Sequence, residues 1–279
     1  MKPAMADKKM RQAPFIQSLD RGLAIVEAVA ASNDPVSLGE LTARLGIDRS
    51  SVFRLAQTLR RRGFLACPAG RKDYVLGPAM WRLAHRYNWG NMLIKVSHEH
   101  LKTMAAQTRE TAHLAIREGK SALLIDHVEA SHLIVVAGQT GESAPLHFTA
   151  HGKALLADSD QQELLALLGP GPLPSRTKKT ITSIDELARA SAEIRRSGFA
   201  VDDEEYQEGL RCIAAPIRAE DGAIVASIGI SAPISRFPRE LCDSHGALVR
   251  KIAEEIGSLL STRGLVDPRG EPEIEVARG

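Results

Sequence analysis

Cys212, His151 and Asp202 supply the three side-chain types that nucleophilic catalysis needs: a thiol, an imidazole base and a carboxylate to orient it. The same three, joined by His132 or His147, are also a donor set for zinc, which can be assembled from distant residues. Neither chemistry is dictated. Cys212 lies in an apolar, strand-like run, where a cysteine is more often an inert packing residue. His147 and His151 would share a face only if both were helical, and the helix there is expected to begin near His151. His98 and His100 alternate on a predicted helix and so lie on different faces. A different chemistry is written nearer the front. Arg49, Ser50, Phe53 and Arg54 open a predicted helix, and Arg71 and Lys72 stand at a predicted turn. Arginine reads guanine through paired hydrogen bonds, serine reaches phosphate or base, and phenylalanine can touch a thymine methyl. Arg60, Arg61 and Arg62 end the same helix, where they suit phosphates or simply the helix dipole.

Local signals position these groups. Ser37 can cap a helix over 38–45, and Gly46 follows where a left-handed residue is easiest for glycine. Asp48 can cap a second helix from Arg49 to about Arg62, ended by Gly63. Leu41 and Leu45 face Val52, Leu55, Ala56 and Leu59, which makes a helix-turn-helix pattern. Two β-prone runs, Phe64–Cys67 and Tyr74–Leu76, read as a hairpin, a wing with Arg71 and Lys72 at its tip. Upstream, Leu19, Leu23, Val26 and Ala30, with Ile25 and Val29, form one apolar stripe on a helix from Ser18 to Ala31.

The remainder reads as a mixed α/β domain. Helices are expected over 93–107, 152–157, 161–168, 183–196 and 238–260, and strand-like runs over 111–117, 121–128, 133–138, 199–201, 210–217 and 223–231. Ser227, Gly229 and Ser231 share one strand face and leave room beside the sheet for a pocket that takes a small carboxylate. Gly152, near a helix start, offers backbone N–H groups to an anion.

Composition agrees with this division. A chain of 279 residues suggests about two domains. With 44% apolar and 25% charged residues it is neither collagenous, disordered nor a disulfide scaffold. Through Gly90 there are 15 Lys and Arg against 7 Asp and Glu; from Asn91 the count is 21 against 27. A basic front on an acidic back points the front at a polyanion. No 18-residue apolar run exists, so no membrane partner is expected. Three scattered cysteines and no secretory leader fit the cytoplasm. The expected plan is a flexible arm (1–14), a winged helix-turn-helix (15–77), a linker helix (78–90), an α/β domain (91–262) and a disordered tail (263–279).

Residues 15–262 resemble the IclR family of bacterial transcriptional regulators. The likeness rests on Ser-Leu-Asp-Arg-Gly-Leu-Ala-Ile at 18–25, on 38–55 as a block, on His-Gly-Lys-Ala-Leu-Leu-Ala at 151–157, on the spacing of Gly198, Asp202, Glu205 and Cys212, and on Ser-Ala-Pro-Ile-Ser-Arg at 231–236. The resemblance implies a multi-domain α/β protein whose second domain is GAF-like, a central antiparallel sheet with flanking helices. It implies dimers through the front region and often tetramers through the effector domains. It implies effector contacts at Leu133, Ala150, His151, Asp202, Cys212, Gly229 and Ser231. His151 stands where a small residue is common and Gly229 where a serine can occur. A cation-capable histidine fits acid recognition, and the missing serine is expected to open space. The implied effector is a carboxylate larger than a two- or three-carbon oxoacid, aromatic acids included. Arg218-Ala219 replaces an aromatic or histidine followed by Asp or Asn, which is expected to loosen a turn. The function implied is a regulator of a pseudo-palindromic double-stranded operator, without catalysis and without a cofactor. Its alternative, a metal-binding sensor or enzyme built on Cys212, His151 and Asp202, stays open because some relatives hold zinc in this pocket.

Overall fold

Three helices, two of them with side-chain caps at their starts, build the front of the chain. In the computed structural model, which describes residues 16–262 apart from 85, 87, 130, 131, 133–135 and 137, α1 (Gln17–Ala30) turns Ile25, Val26 and Val29 inward. Ser37 closes a capping box on α2 (Leu38–Leu45): Glu40 N donates to Ser37 Oγ at 3.2 Å and Ser37 N to Glu40 Oε2 at 2.8 Å. Gly46 ends α2 in the left-handed conformation. Asp48 caps α3 (Arg49–Arg61), accepting from Ser51 N at 2.9 Å. β1 (Leu65–Ala66) and β2 (Val75–Leu76) pair antiparallel, and a Val36–Tyr74 bridge ties the hairpin to the segment before α2. Ile25, Leu41, Val52, Ala56, Leu65 and Tyr74 form the core of this winged helix-turn-helix. Each fully buried aliphatic side chain there contributes about 1.5–3 kcal/mol.

Two expectations change here. Leu19 and Leu23, assigned by spacing to the inner stripe, are 60% and 53% exposed. At 100° per residue they lie roughly a quarter-turn from Ile25, Val26 and Val29, so α1 carries two apolar flanks and only one is covered. The segment 78–90 is not one linker helix. α4 (Pro78–Ala84) ends within a first unit, residues 1–87, and α5 (Asn88–Thr108) opens a second, residues 88–279. The expected arm and tail, and Leu133, lie outside the described residues.

The second unit is organised by one six-stranded antiparallel sheet. Its strands are β3 (Thr111–Glu118), β4 (Ser121–Val128), β5 (Ser143–Pro145), β6 (Ala200–Asp203), β7 (Leu210–Arg218) and β8 (Ile224–Pro233), in the order β5-β4-β3-β8-β7-β6. The centre pairs Thr111 with Ser231 and His113 with Gly229, and β7 lies alongside with Cys212 opposite Ser231. Of the run expected over 133–138, Val136 and Gly138 are not in a strand and the other four residues are undescribed.

Side chains alternate across the sheet, and the two faces differ in size. Leu114, Ile213, Ile228 and Ile230 pack on α5 and on α9 (Cys242–Thr262), which follows a 3-10 turn at Arg239–Leu241. The opposite face carries Ala115, Cys212 and Ala214 and packs on α6 (Ala150–Leu155), α7 (Gln161–Leu168) and α8 (Ile184–Ser197). Small residues on that face leave space under α6. The turn after β7 is tied, contrary to expectation: Arg218 donates to both oxygens of Asp158, at 2.6 and 2.9 Å, and to Gly222 O at 2.9 Å.

Candidate functional site

The start of α3 presents Arg49, Ser50, Phe53 and Arg54 to solvent, and Phe53, at 48% exposure, is not a core residue. Ser50 has a local task. Its hydroxyl donates to Asp48 Oδ1 at 2.7 Å, and that bond together with the Ser51 amide holds the Asp48 carboxyl well below the usual range. Arg71 and Lys72 are exposed in the connection between β1 and β2. Arg49 and Arg54 are therefore exposed cations at the start of α3, and Arg71 and Lys72 are exposed cations in the hairpin of the same unit.

In the second unit a cavity of about 420 Å³ lies between the small-residue face of the sheet and α6. Ala150, His151, Asp202, Cys212 and Ser231, five of the expected effector contacts, line it. Gly229 does not. A Cβ there would meet the Ile213 carbonyl oxygen at 2.2 Å, so the glycine is required by close approach of β7 and no space opens where a serine would stand. His113 and Tyr206 also line the cavity and were not anticipated. His113 alternates with the apolar Ala112 and Leu114 along β3, a periodic signal that marks it as facing the other way.

The helix that carries His151 is set by a close backbone crossing. A Cβ at Gly152 would come within 2.3 Å of the Leu146 carbonyl oxygen. Its N–H is not free for an anion, because it donates to Thr149 Oγ1 at 3.0 Å. Gly152→Ala should therefore push α6 off the 3-10 turn at Leu146–Phe148 and destabilise the domain by about 1–3 kcal/mol or more. Urea unfolding of the variant against the parent protein measures this.

Burial governs the electrostatics of the cavity. It pushes His113 down to about 3 and His151 down to about 4, so both imidazoles are neutral. The expected cation at His151 is not a standing one. Asp202 is pushed up to about 7, by burial first and then by Glu205. Its Oδ1 accepts from Glu205 N at 2.7 Å and Tyr206 N at 3.2 Å. Behind it Lys153 Nζ is buried, donating to Val201 O at 2.5 Å and to Glu205 Oε1.

This arrangement does not assemble a nucleophile. His151 Nδ1 is engaged with Ser227 Oγ at 2.9 Å, Asp202 Oδ1 with the backbone, and burial keeps Cys212 a protonated thiol. The other histidines of the zinc alternative are committed elsewhere. His147 Nε2 lies 2.9 Å from Pro174 O, and His132 Nε2 faces Glu110 at 3.9 Å. Among the described residues no group of three or more His, Cys, Asp or Glu is placed to hold a metal ion. His98 and His100 do lie on different faces of α5, with His98 Nδ1 at 2.8 Å from Asp126 Oδ2.

Two family models match consecutive stretches, an IclR helix-turn-helix domain over residues 18–66 and a bacterial transcriptional regulator IclR C-terminal domain over residues 86–258. The chain belongs to the IclR family. The transcriptional repressor IclR of Escherichia coli K12 is 32% identical over 243 residues, covering 86% of this chain and 89% of the repressor. The crystal structure of Thermotoga maritima IclR matches with a TM-score of 0.67 and 29% identity, covering 87% of this chain and 98% of that one. An IclR homolog from Microbacterium hydrocarbonoxydans, solved with 4-hydroxybenzoate, matches with a TM-score of 0.76 at 22% identity, over 86% of this chain and 98% of that one, and shows the shared fold. As an IclR-family protein the chain is a transcriptional regulator with a helix-turn-helix DNA-binding domain. Among the described residues no helix is long and apolar enough to cross a membrane.

Proposed function

We propose that this regulator binds a pseudo-palindromic operator in the cytoplasm as a dimer or tetramer, and that a small carboxylate in the C-terminal cavity sets its operator affinity. The observation that carries the ligand half is the cavity itself. It is of ligand size, with polar groups from several elements converging on an otherwise apolar lining. Its volume favours an acid larger than a two- or three-carbon oxoacid, with aromatic acids in range. Arg49, Phe53 and Arg54 would read base edges in the major groove, and Arg71 and Lys72 would meet the backbone or minor groove.

The dimer is supported by the uncovered flank of α1. Ile16, Leu19 and Leu23 recur on one side of that helix and are all more than half exposed. A contiguous apolar strip of this kind marks a protein interface. Paired copies would set two α3 helices about one DNA turn apart. The ligand then acts by favouring one of two assemblies, a coupling that is reciprocal between acid and operator.

Selection of genomic fragments by the purified full chain, followed by gel shifts in a panel of acids, tests the whole reading. One fragment should outcompete random DNA, and at least one aromatic acid should change its affinity several-fold. Tighter binding of glyoxylate or pyruvate than of any aromatic acid removes the assignment of ligand size. A monomer by light scattering at micromolar concentration removes the dimer.

A further inference from the structure

Among the described residues, two buried nitrogens in the cavity have no hydrogen-bond partner: His113 Nδ1 and His151 Nε2. Unpaired buried polar atoms are few in native proteins, and each calls for a cause. These two belong to side chains that line the same cavity, and their rings meet edge to face with centroids 6.0 Å apart. His113 is held by the central strand and is only 5% exposed. His151 is held at its other nitrogen by Ser227. Among the described residues no lysine or arginine lines the cavity, while Asp202 and Glu142 do. Lys153 is committed to Glu205 and Val201 O.

We infer that His113 and His151 form a paired grip on the acid group of the ligand, which makes His113 a specificity-determining residue of this regulator. The inference rests on the proposal that the ligand is an acid. A carboxylate entering this cavity meets no fixed positive charge and has Asp202 nearby. It needs a proton, and the free imidazole nitrogens are placed to hold one against it. His127 on β4, Glu142 at the rim, Asp202 on β6 and Cys212 on β7 face the pair, with Ser227 and Ser231 on β8. In the empty cavity burial keeps both rings neutral. A bound carboxylate favours the protonated ring, so the imidazole binds its proton more tightly in the complex than in the free protein. Ligand affinity must then fall as pH rises, by up to about tenfold per pH unit for one proton taken up. Asp202, half-protonated near neutrality, pulls in the same direction, so variants must assign the proton.

Titration calorimetry of the full chain with benzoate, phenylacetate and 4-hydroxybenzoate, at pH 6 and pH 8 and in buffers of different ionisation enthalpy, reads the proton directly. Net uptake should approach one proton per acid bound, with affinity at pH 6 at least fivefold above that at pH 8. His113→Asn and His151→Gln keep a polar atom near each free nitrogen but cannot titrate. Each should bind at least tenfold more weakly at pH 6 with diminished uptake and an unchanged circular dichroism spectrum. The parent-protein measurement needs no variant and stands if one fails to fold. Binding without proton uptake, or uptake undiminished in both variants, overturns the inference and leaves the acid-ligand reading intact. No binding of any of the three acids at either pH overturns both.

Discussion

Replacing Lys153 by methionine should destabilise the C-terminal domain by about 3–5 kcal/mol, the cost of removing one partner from a buried ion pair. The ammonium lies under α6 with Glu205 and the Val201 carbonyl as partners, and Asp202 is nearly inaccessible beside it. Methionine fills much the same volume, so the loss is electrostatic rather than a cavity effect. Two carboxyls would remain buried with no cation. Burial already raises both, and Lys153 opposes that rise more than the backbone hydrogen bonds do. Without it both folded-state values climb further above their unfolded ones. Stability from such groups is present at low pH and is lost as pH rises through the folded value. The deficit against the parent protein should therefore be small near pH 5 and largest near pH 8. Urea unfolding across that range checks it. The double variant Lys153→Met, Glu205→Gln should recover part of the loss, because it removes one of the stranded charges.

Arg49→Ala and Arg54→Ala should each cost about 1–3 kcal/mol of operator binding, roughly 5- to 150-fold, if each holds a base edge through paired hydrogen bonds. Both are exposed on the first two turns of α3, and no acidic side chain is paired with either among the described ion pairs. The signature is loss of preference for operator over competitor DNA, not only weaker binding. Arg71→Ala and Lys72→Ala supply the contrast: binding should weaken on all sequences alike, with the salt slope falling by about one for each phosphate contact removed. Ser50→Ala should act through the helix start, because its hydroxyl is spent on Asp48. Gel shifts over a range of salt separate these outcomes, and unchanged affinity in both arginine variants removes the assignment.

The parts of this fold that were legible in the chain are those decided by local chemistry. Ser37, Gly46 and Asp48 bound α2 and α3 because caps and a left-handed turn involve only neighbours within four residues. Residues 121–128 and 210–217 read as strands because their apolar content exceeds what turns tolerate. What needed long-range pairing stayed hidden. β5 is three residues ending in proline, and only its register on β4 makes it a strand. Leu19 and Leu23 match helical spacing as well as Ile25 does, and spacing cannot say which of two apolar flanks is covered. For the cavity, the lining residues Cys212, Asp202 and Ser231 were named through the family pattern. Gly229 was misjudged because close approach of β7 is a property of the sheet. Lys153 stood in an apolar run as a lone cation, yet its partner is 52 residues away.

The pairing of Thr111 with Ser231 also fixes an order of events during synthesis. The front unit is complete at residue 87. The floor of the cavity needs β8, which leaves the ribosome more than a hundred residues later. Domains fold as they emerge, first from the N-terminus. A nascent chain therefore carries a complete helix-turn-helix unit well before the strands that floor the cavity of the second unit can pair.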